Sequence, residues 1–331
     1  MALQLLLAVL LLRDGGRGWA ARLGAVFAVG AVATLVSAAP PLDGQPYPWL
    51  LPFQVLNLGN PAVFWLLASA LFDDDFSPDR PHALAWLALV GVGLWSLHGG
   101  GRIGFLSYKA GTLICICAAL VQAIAGRAGD LVEARRTLRV RFIAIVGVFT
   151  AVIVISAVFL HGGRDTPAFG YTDAIGNLII SALLAIALIS LGPSDLLAPL
   201  AATASEKRPA EREPDPREAA VLSALRRQMD EARTYREEDL NIAALAARLG
   251  VPEYRLRRLI NQRLGHRNFA AFLNGYRLED VIGALADPAQ DEVPILTIAL
   301  DAGFASIGVF NRAFKARTGM TPTEFRRARA G

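Results

Sequence analysis

The feature that most constrains this chain is a series of apolar stretches that fills its first 191 residues and then stops. The runs fall at 3–12, 19–39, 49–72, 82–98, 103–125, 142–160 and 174–191, with short polar or Gly/Pro-containing connections between them. A bilayer core of about 30 Å takes about 20 apolar residues in a helix. The pattern therefore predicts a polytopic helical bundle of about seven spans over 1–191, read as a membrane domain with a sensing role. Run 3–12 is short. Run 49–72 is interrupted by Pro52, Asn57, Asn60 and Pro61, and is expected to be kinked or partly packed inside the bundle. Charge follows the same division: 40 of the 62 charged residues lie in the last 140 positions.

Arginines in the connections set the orientation. With the C-terminus inside, the inner loops carry Arg13, Arg17, Arg22, Arg80, Arg127, Arg135, Arg136, Arg139 and Arg141, and the outer loops only Arg102 and Arg164. Leaving out run 3–12 keeps the same assignment. The expectation is a multi-pass protein of the cell inner (cytoplasmic) membrane with its C-terminal half in the cytoplasm. A signal peptide is not expected, because no basic segment precedes run 3–12 and Arg13 stands where a small-residue cleavage site belongs.

Chemistry-bearing residues in the apolar half are sparse. Cys115 and Cys117, two positions apart on a helix, point to different faces and read as small buried side chains rather than a disulfide or metal pair. Lys109 lies near a span end, Asp173 at a boundary, and Gln122 and Asn177 read as interhelical hydrogen-bonding groups. Asp73, Asp74 and Asp75 read as a solvated loop. His82, His98, His161 and His266 are scattered, and no phosphate-binding glycine loop, zinc spacing or nucleophile elbow occurs. An enzyme is not expected, nor a cofactor or metal.

Beyond Leu191 the composition changes. Residues 192–216, with Pro209, Pro214 and Pro216 among Ala, Glu, Lys and Arg, read as a flexible cytoplasmic linker. A helix resumes at Arg217, with Val221, Leu222, Leu225 and Met229 at spacings of three and four. It either packs on its own domain or forms a short contact between two subunits. Next, 242–249 reads as a short amphipathic helix capped by Asn241, with a turn at Gly250-Val251-Pro252. A basic helix over 253–264 follows and ends at Gly265. Leu256, Leu259 and Ile260 form its apolar face, with Tyr254, Arg255, Arg257, Arg258, Asn261 and Arg263 opposite. Two short helices, a glycine turn and a basic second helix describe a helix-turn-helix.

The arrangement recurs. A helix over 295–302 leads through Gly303-Phe304-Ala305 to Ser306, which can cap a helix over 307–318 that ends at Gly319. Phe310 and Phe314 face its core, while Asn311, Arg312, Lys315 and Arg317 are polar or cationic. A longer helix over 269–286 would hold the two units at a fixed spacing. Residues 240–331 carry 13 basic and 8 acidic side chains, a balance suited to a polyanion.

At these residues the chain resembles the AraC/XylS transcription regulators, over about 217–329. The strongest part is Ile298-Ala299, Gly303-Phe304-Ala305-Ser306, Phe310-Asn311-Arg312-Ala313-Phe314-Lys315, Gly319-Met320-Thr321-Pro322 and Phe325-Arg326. Arg258-Leu259-Ile260-Asn261-Gln262, with the apolar first half, looks like the membrane-anchored branch of that family. The resemblance implies a DNA-binding domain over 217–331. Contacts to duplex DNA would come from Tyr254, Arg257, Arg258 and Asn261 of the first unit, and from Ser306, Asn311, Arg312 and Lys315 of the second. Arginine suits guanine and asparagine adenine, while Lys315 suits a phosphate. Ile307 and Gly308 stand where many relatives place polar base-reading groups, so the second unit is expected to hold the backbone or touch a thymine methyl. Pro252 replaces the usual capping hydroxyl.

The expected whole is an all-α, membrane-bound regulator coupling a membrane or envelope signal to promoter binding. Its expected partners are double-stranded promoter DNA, the lipid bilayer, a second copy of the chain, RNA polymerase and an effector. Two other readings fit the same residues: a regulator merely tethered by a non-sensing anchor, and a transporter with a regulatory DNA-binding appendage.

Overall fold

A computed structural model describes residues 1–14, 18–37, 48–74, 76–159 and 216–330. Among these residues the fold is all-helical, and the only extended pairing is an isolated antiparallel bridge between Asp130 and Asn268. The chain divides into two units, Met1–Arg127 with Ala134–Glu206, and Ala128–Glu133 with Lys207–Gly331.

The first unit holds α1 (Ala2–Asp14), α2 (Trp19–Ser37), α3 (Leu51–Phe72), α4 (Arg80–His98), α5 (Gly101–Ala125) and α6 (Glu133–Phe159). Three helical segments are long and apolar enough to cross a bilayer: Trp19–Ser37, Pro48–Phe72 and Gly101–Ala125. The expected count of seven is not reached among the described residues. Run 3–12 forms only a short apolar helix, and run 82–98 lies in α4, where Arg80, His82 and His98 dilute the apolar content. Run 142–160 begins inside α6 and ends outside the described residues. Run 174–191, with Asp173 and Asn177, and linker positions 192–215 also lie outside them.

Small residues let α2 pack closely into the bundle against α1 and α3: Ala20, Ala21, Gly24, Ala25, Ala28 and Ala31 are all buried. A Cβ added to Gly30 would meet the Asn60 amide oxygen at 2.3 Å, so close approach depends on that glycine. Asn57 faces the bundle too, its amide oxygen accepting from the Thr34 hydroxyl at 2.7 Å. The polar interruptions of run 49–72 are thus packed inside, and α3 continues through Pro61. Phe64 sits at the centre, 5.6 Å from Phe27 and 5.4 Å from Phe142 between ring centroids.

Two arginines counted as loop charges brace this unit instead. Arg139, only 1% exposed, donates to the carbonyls of Phe72 at 2.7 Å and of Gln122 and Ala123 at 3.2 and 3.0 Å. It therefore caps the carbonyl ends of α3 and α5, where a cation is favoured by the helix dipole. Arg135 grips Asp74 with two hydrogen bonds of 2.6 and 2.9 Å, giving the acidic loop a structural partner. Lys109 lies eight residues into α5, not at its end, with its ammonium 5.6 Å from the Phe105 ring centre. Cys117 is exposed rather than buried, and Cys115 is half-buried.

The second unit is built from α7 (Pro216–Asp230), α8 (Ile242–Arg248), α9 (Glu253–Gln262), α10 (Phe269–Ala286), α11 (Ile295–Asp301), α12 (Ile307–Thr318) and α13 (Pro322–Ala330). Leu225 and Met229 of α7 are buried in the core formed by α8, α9 and the start of α10. That helix packs on its own unit. α10 serves two cores: Phe269, Phe272 and Leu273 enter the first, and Leu278, Val281 and Leu285 enter the second with α11, α12 and α13.

Candidate nucleic-acid interface

Both pairs α8–α9 and α11–α12 are made the same way. Each first helix ends in a glycine turn with paired backbone bonds. After α8, Gly250 donates to Ala247 O and Val251 to Ala246 O, at 3.1 and 3.0 Å. After α11, Gly303 donates to Leu300 O and Phe304 to Ala299 O, at 2.8 and 3.1 Å. Gly303 has φ 94, and a Cβ there would lie 2.6 Å from the Arg236 carbonyl oxygen, so only glycine fits.

Caps follow the sequence. The Asn241 side chain accepts from Ala244 N at 3.0 Å, and Ser306 from Val309 N at 3.4 Å. Pro252 begins α9 without a side-chain cap. Ser306 of the expected contact set is thus exposed but already employed in capping α12.

The middle of α10 ties the two pairs together. Arg277 is buried and donates to the carbonyls of Tyr235 and Glu237 at 2.7 and 2.9 Å. Asp280, one helical turn on, accepts from the Tyr235 hydroxyl at 2.8 Å and from Arg236 at 2.7 Å. Burial, with the Asp280 carboxylate beside it, holds the Tyr235 hydroxyl above its usual pKa, so it stays a donor. An α10 of 18 residues is about 27 Å long. That length is of the order of one duplex turn, roughly 34–36 Å.

The expected contact residues do not share one environment. On α9, Tyr254 is 63% exposed, and Arg258 is exposed with Nε donating to Gln262 Oε1 at 2.9 Å. Asn261 is half-buried and its amide donates to the His266 carbonyl at 3.0 Å. Arg257 is only 6% exposed and is turned away from solvent, a placement that amphipathic spacing did not signal. On α12, Asn311, Arg312 and Lys315 are all exposed and line a shallow depression with Ile295, Ile307, Thr321 and Pro322. Among the described residues, Asn311 and Arg312 make no side-chain hydrogen bond or ion pair. Ile307 and Val309 add an exposed apolar edge, and the space beside Gly308 is open. Two exposed arginines, a tyrosine and an asparagine on paired second helices suit base edges, and a lysine suits phosphate.

His266 lies just past α9, its ring edge-on to Phe272 at 5.3 Å. Burial pushes its pKa below the ordinary 6.5. The folded unit therefore binds fewer protons than the unfolded chain as pH falls through that value, so stability is full above it and declines below. Between about pH 7.5 and 5.5, amide exchange of α9 and α10 is expected to slow less than the intrinsic base-catalysed rate does, because opening becomes easier as stability falls, and a His266→Gln chain is expected to lose that difference.

Residues 245–328 match the family described as a helix-turn-helix domain. Among solved structures, the chain is similar to the C-terminal domain of AraT, a response regulator from Geobacillus stearothermophilus. Identity is 29% over 36% of this chain and 89% of that one, with a TM-score of 0.30. No curated protein matches the chain.

Proposed function

We propose that this chain is a membrane-bound, sequence-specific DNA-binding transcription regulator of the AraC/XylS type. The observation that carries the reading is the pair of helix-turn-helix units set on one bracing helix, each leaving an arginine and polar side chains of its second helix facing solvent. Arg258 and Tyr254 read the first half of a site. Arg312 and Asn311 read the second, with Lys315 on phosphate and Ile307 against a thymine methyl.

Membrane attachment is supported by the three apolar helices and by the outward face of α5, where Ile103, Ile114 and Val121 are all exposed. Such a face is unfavourable in water and suits acyl chains. The C-terminal unit lies in the cytoplasm, where the arginine-rich connections also belong. Pairing of two copies would raise the effective concentration of DNA-reading units at a two-part site. RNA polymerase beside the bound unit and an effector at the membrane unit complete the reading.

The test is genome-wide DNA occupancy of the full-length chain at native level, beside an Arg258→Ala, Arg312→Ala chain. Discrete promoter peaks are expected for the first and their loss for the second. Absence of peaks for the unaltered chain across growth conditions, together with no retention of any duplex from a random pool, would overturn the reading.

A further inference from the structure

The second unit contains six residues that the sequence places in the first half of the chain: Ala128–Glu133, the connection between α5 and α6. They are built into it as a ligand is built into a site. Leu131, 4% exposed, is part of the first core with Leu225, Leu256 and Phe269. Its amide donates to the Arg267 carbonyl at 3.0 Å, and the Phe269 amide donates to the Gly129 carbonyl at 2.8 Å. These two bonds flank the Asp130–Asn268 bridge. Asp130 is 1% exposed and its carboxylate accepts from Val132 N at 3.1 Å.

The same segment occupies Arg257. Nη1 donates to the Asp130 carbonyl at 2.6 Å and Nη2 to the Ala128 carbonyl at 2.8 Å. Nε donates to Glu253 at 2.7 Å, and Nη2 also contacts that carboxylate. Two carbonyl oxygens presented to one guanidinium fork are the acceptor geometry that guanine O6 and N7, or two phosphate oxygens, would offer it. Glu253 supplies the negative charge. All three nitrogens of this α9 arginine are engaged within the protein.

We propose that Ala128–Glu133 is an internal ligand of the first helix-turn-helix, and that it competes with DNA for Arg257. DNA binding at full affinity then requires the segment to leave. Because it is continuous in sequence with α5 on one side and α6 on the other, a change in the spacing of those helix ends pulls on it. The proposal rests on the DNA-binding reading above, and its test separates the two.

In an antiparallel bridge flanked by its hydrogen bonds in this way, the paired residues lie about 4.5 Å apart at Cα. That is within disulfide reach. The full-length chain with Asp130→Cys and Asn268→Cys, and with Cys115 and Cys117 replaced by alanine, is reconstituted in nanodiscs. Oxidation is expected to form the cross-link, read by peptide mass. The oxidised chain should bind its selected duplex about 10- to 100-fold more weakly, the worth of one arginine contact. Reduction should restore binding, and the single-cysteine chains should not respond.

Failure to cross-link would remove the docked segment, and a cross-link without effect on affinity would remove the competition. Should the reduced and unaltered chains retain no duplex, the regulator reading falls, while the cross-link still reports the docking. A second arm needs no substitution. Amide exchange at Leu131 and Phe269 should be slow in the free chain and faster with saturating duplex; unchanged or slower exchange would contradict release.

Discussion

Replacing Arg258 and Arg312 together by alanine is expected to abolish discrimination between the selected operator and a scrambled duplex. Arg258 is exposed on α9, and Arg312 is exposed on α12 without a protein partner among the described residues. Neither substitution empties a core. A good arginine–guanine pair is worth about 1–3 kcal/mol of base discrimination. The two sites sit in different halves of the unit and should add. Their joint loss is then about 2–6 kcal/mol, or from about 30-fold to more than 10⁴-fold in operator affinity. Binding to scrambled duplex should fall far less, because phosphate contacts supply it. Lys315→Ala is expected to behave oppositely, weakening both duplexes alike and reducing the salt slope by about 1. Titration by fluorescence anisotropy at three salt concentrations distinguishes the two classes. A double-substituted chain that still preferred the operator as strongly as the unaltered one would show that other residues read the bases.

The architecture of the C-terminal unit was legible because its punctuation is local. Asn241, Pro252, Gly265, Ser306 and Gly319 each mark a helix end by its own backbone or capping preference, and the helices begin and end beside them. The bracing helix has the bounds expected from the sequence, 269–286. Orientation of single side chains was less so. Helical spacing puts Arg257 on the polar flank of α9, and only a segment 127 residues earlier turns it inward. No periodicity within a window reports a partner at that separation. Arg139 was misplaced for a related reason: a charge near a run of apolar residues reads as a loop, whereas helix carbonyl ends can hold it inside. The span count failed where polar residues dilute a helix, as in α4, since length and apolarity must both be met.

Phe310→Ala is expected to be the most destabilising single substitution in the C-terminal unit. The ring is fully buried, 5.2 Å from Phe304 and 5.5 Å from Phe314, and Phe314 in turn meets Phe325 at 5.4 Å. Removing it leaves a cavity in a core of only about ten side chains. Buried Phe→Ala changes cost about 3–5 kcal/mol. A domain's whole stability is about 5–15 kcal/mol. Amides of α12 and α13 should therefore exchange about 10²- to 10⁴-fold faster in the full-length chain, read by mass spectrometry in nanodiscs. Phe310→Leu, which keeps most of the volume, should show a much smaller change. The behaviour of α9 decides how the unit is built. The first core, around Leu225, Leu245 and Leu256, shares no side chain with the second, so α9 amides should keep their protection if the two cores open separately. Acceleration of α9 to the same degree would mean that α10, braced at Arg277 and Asp280, couples both cores into one cooperative fold. In that case a lesion under α12 would also dismantle the first half of the DNA-reading surface, and Phe310→Ala would abolish binding altogether rather than halve the site.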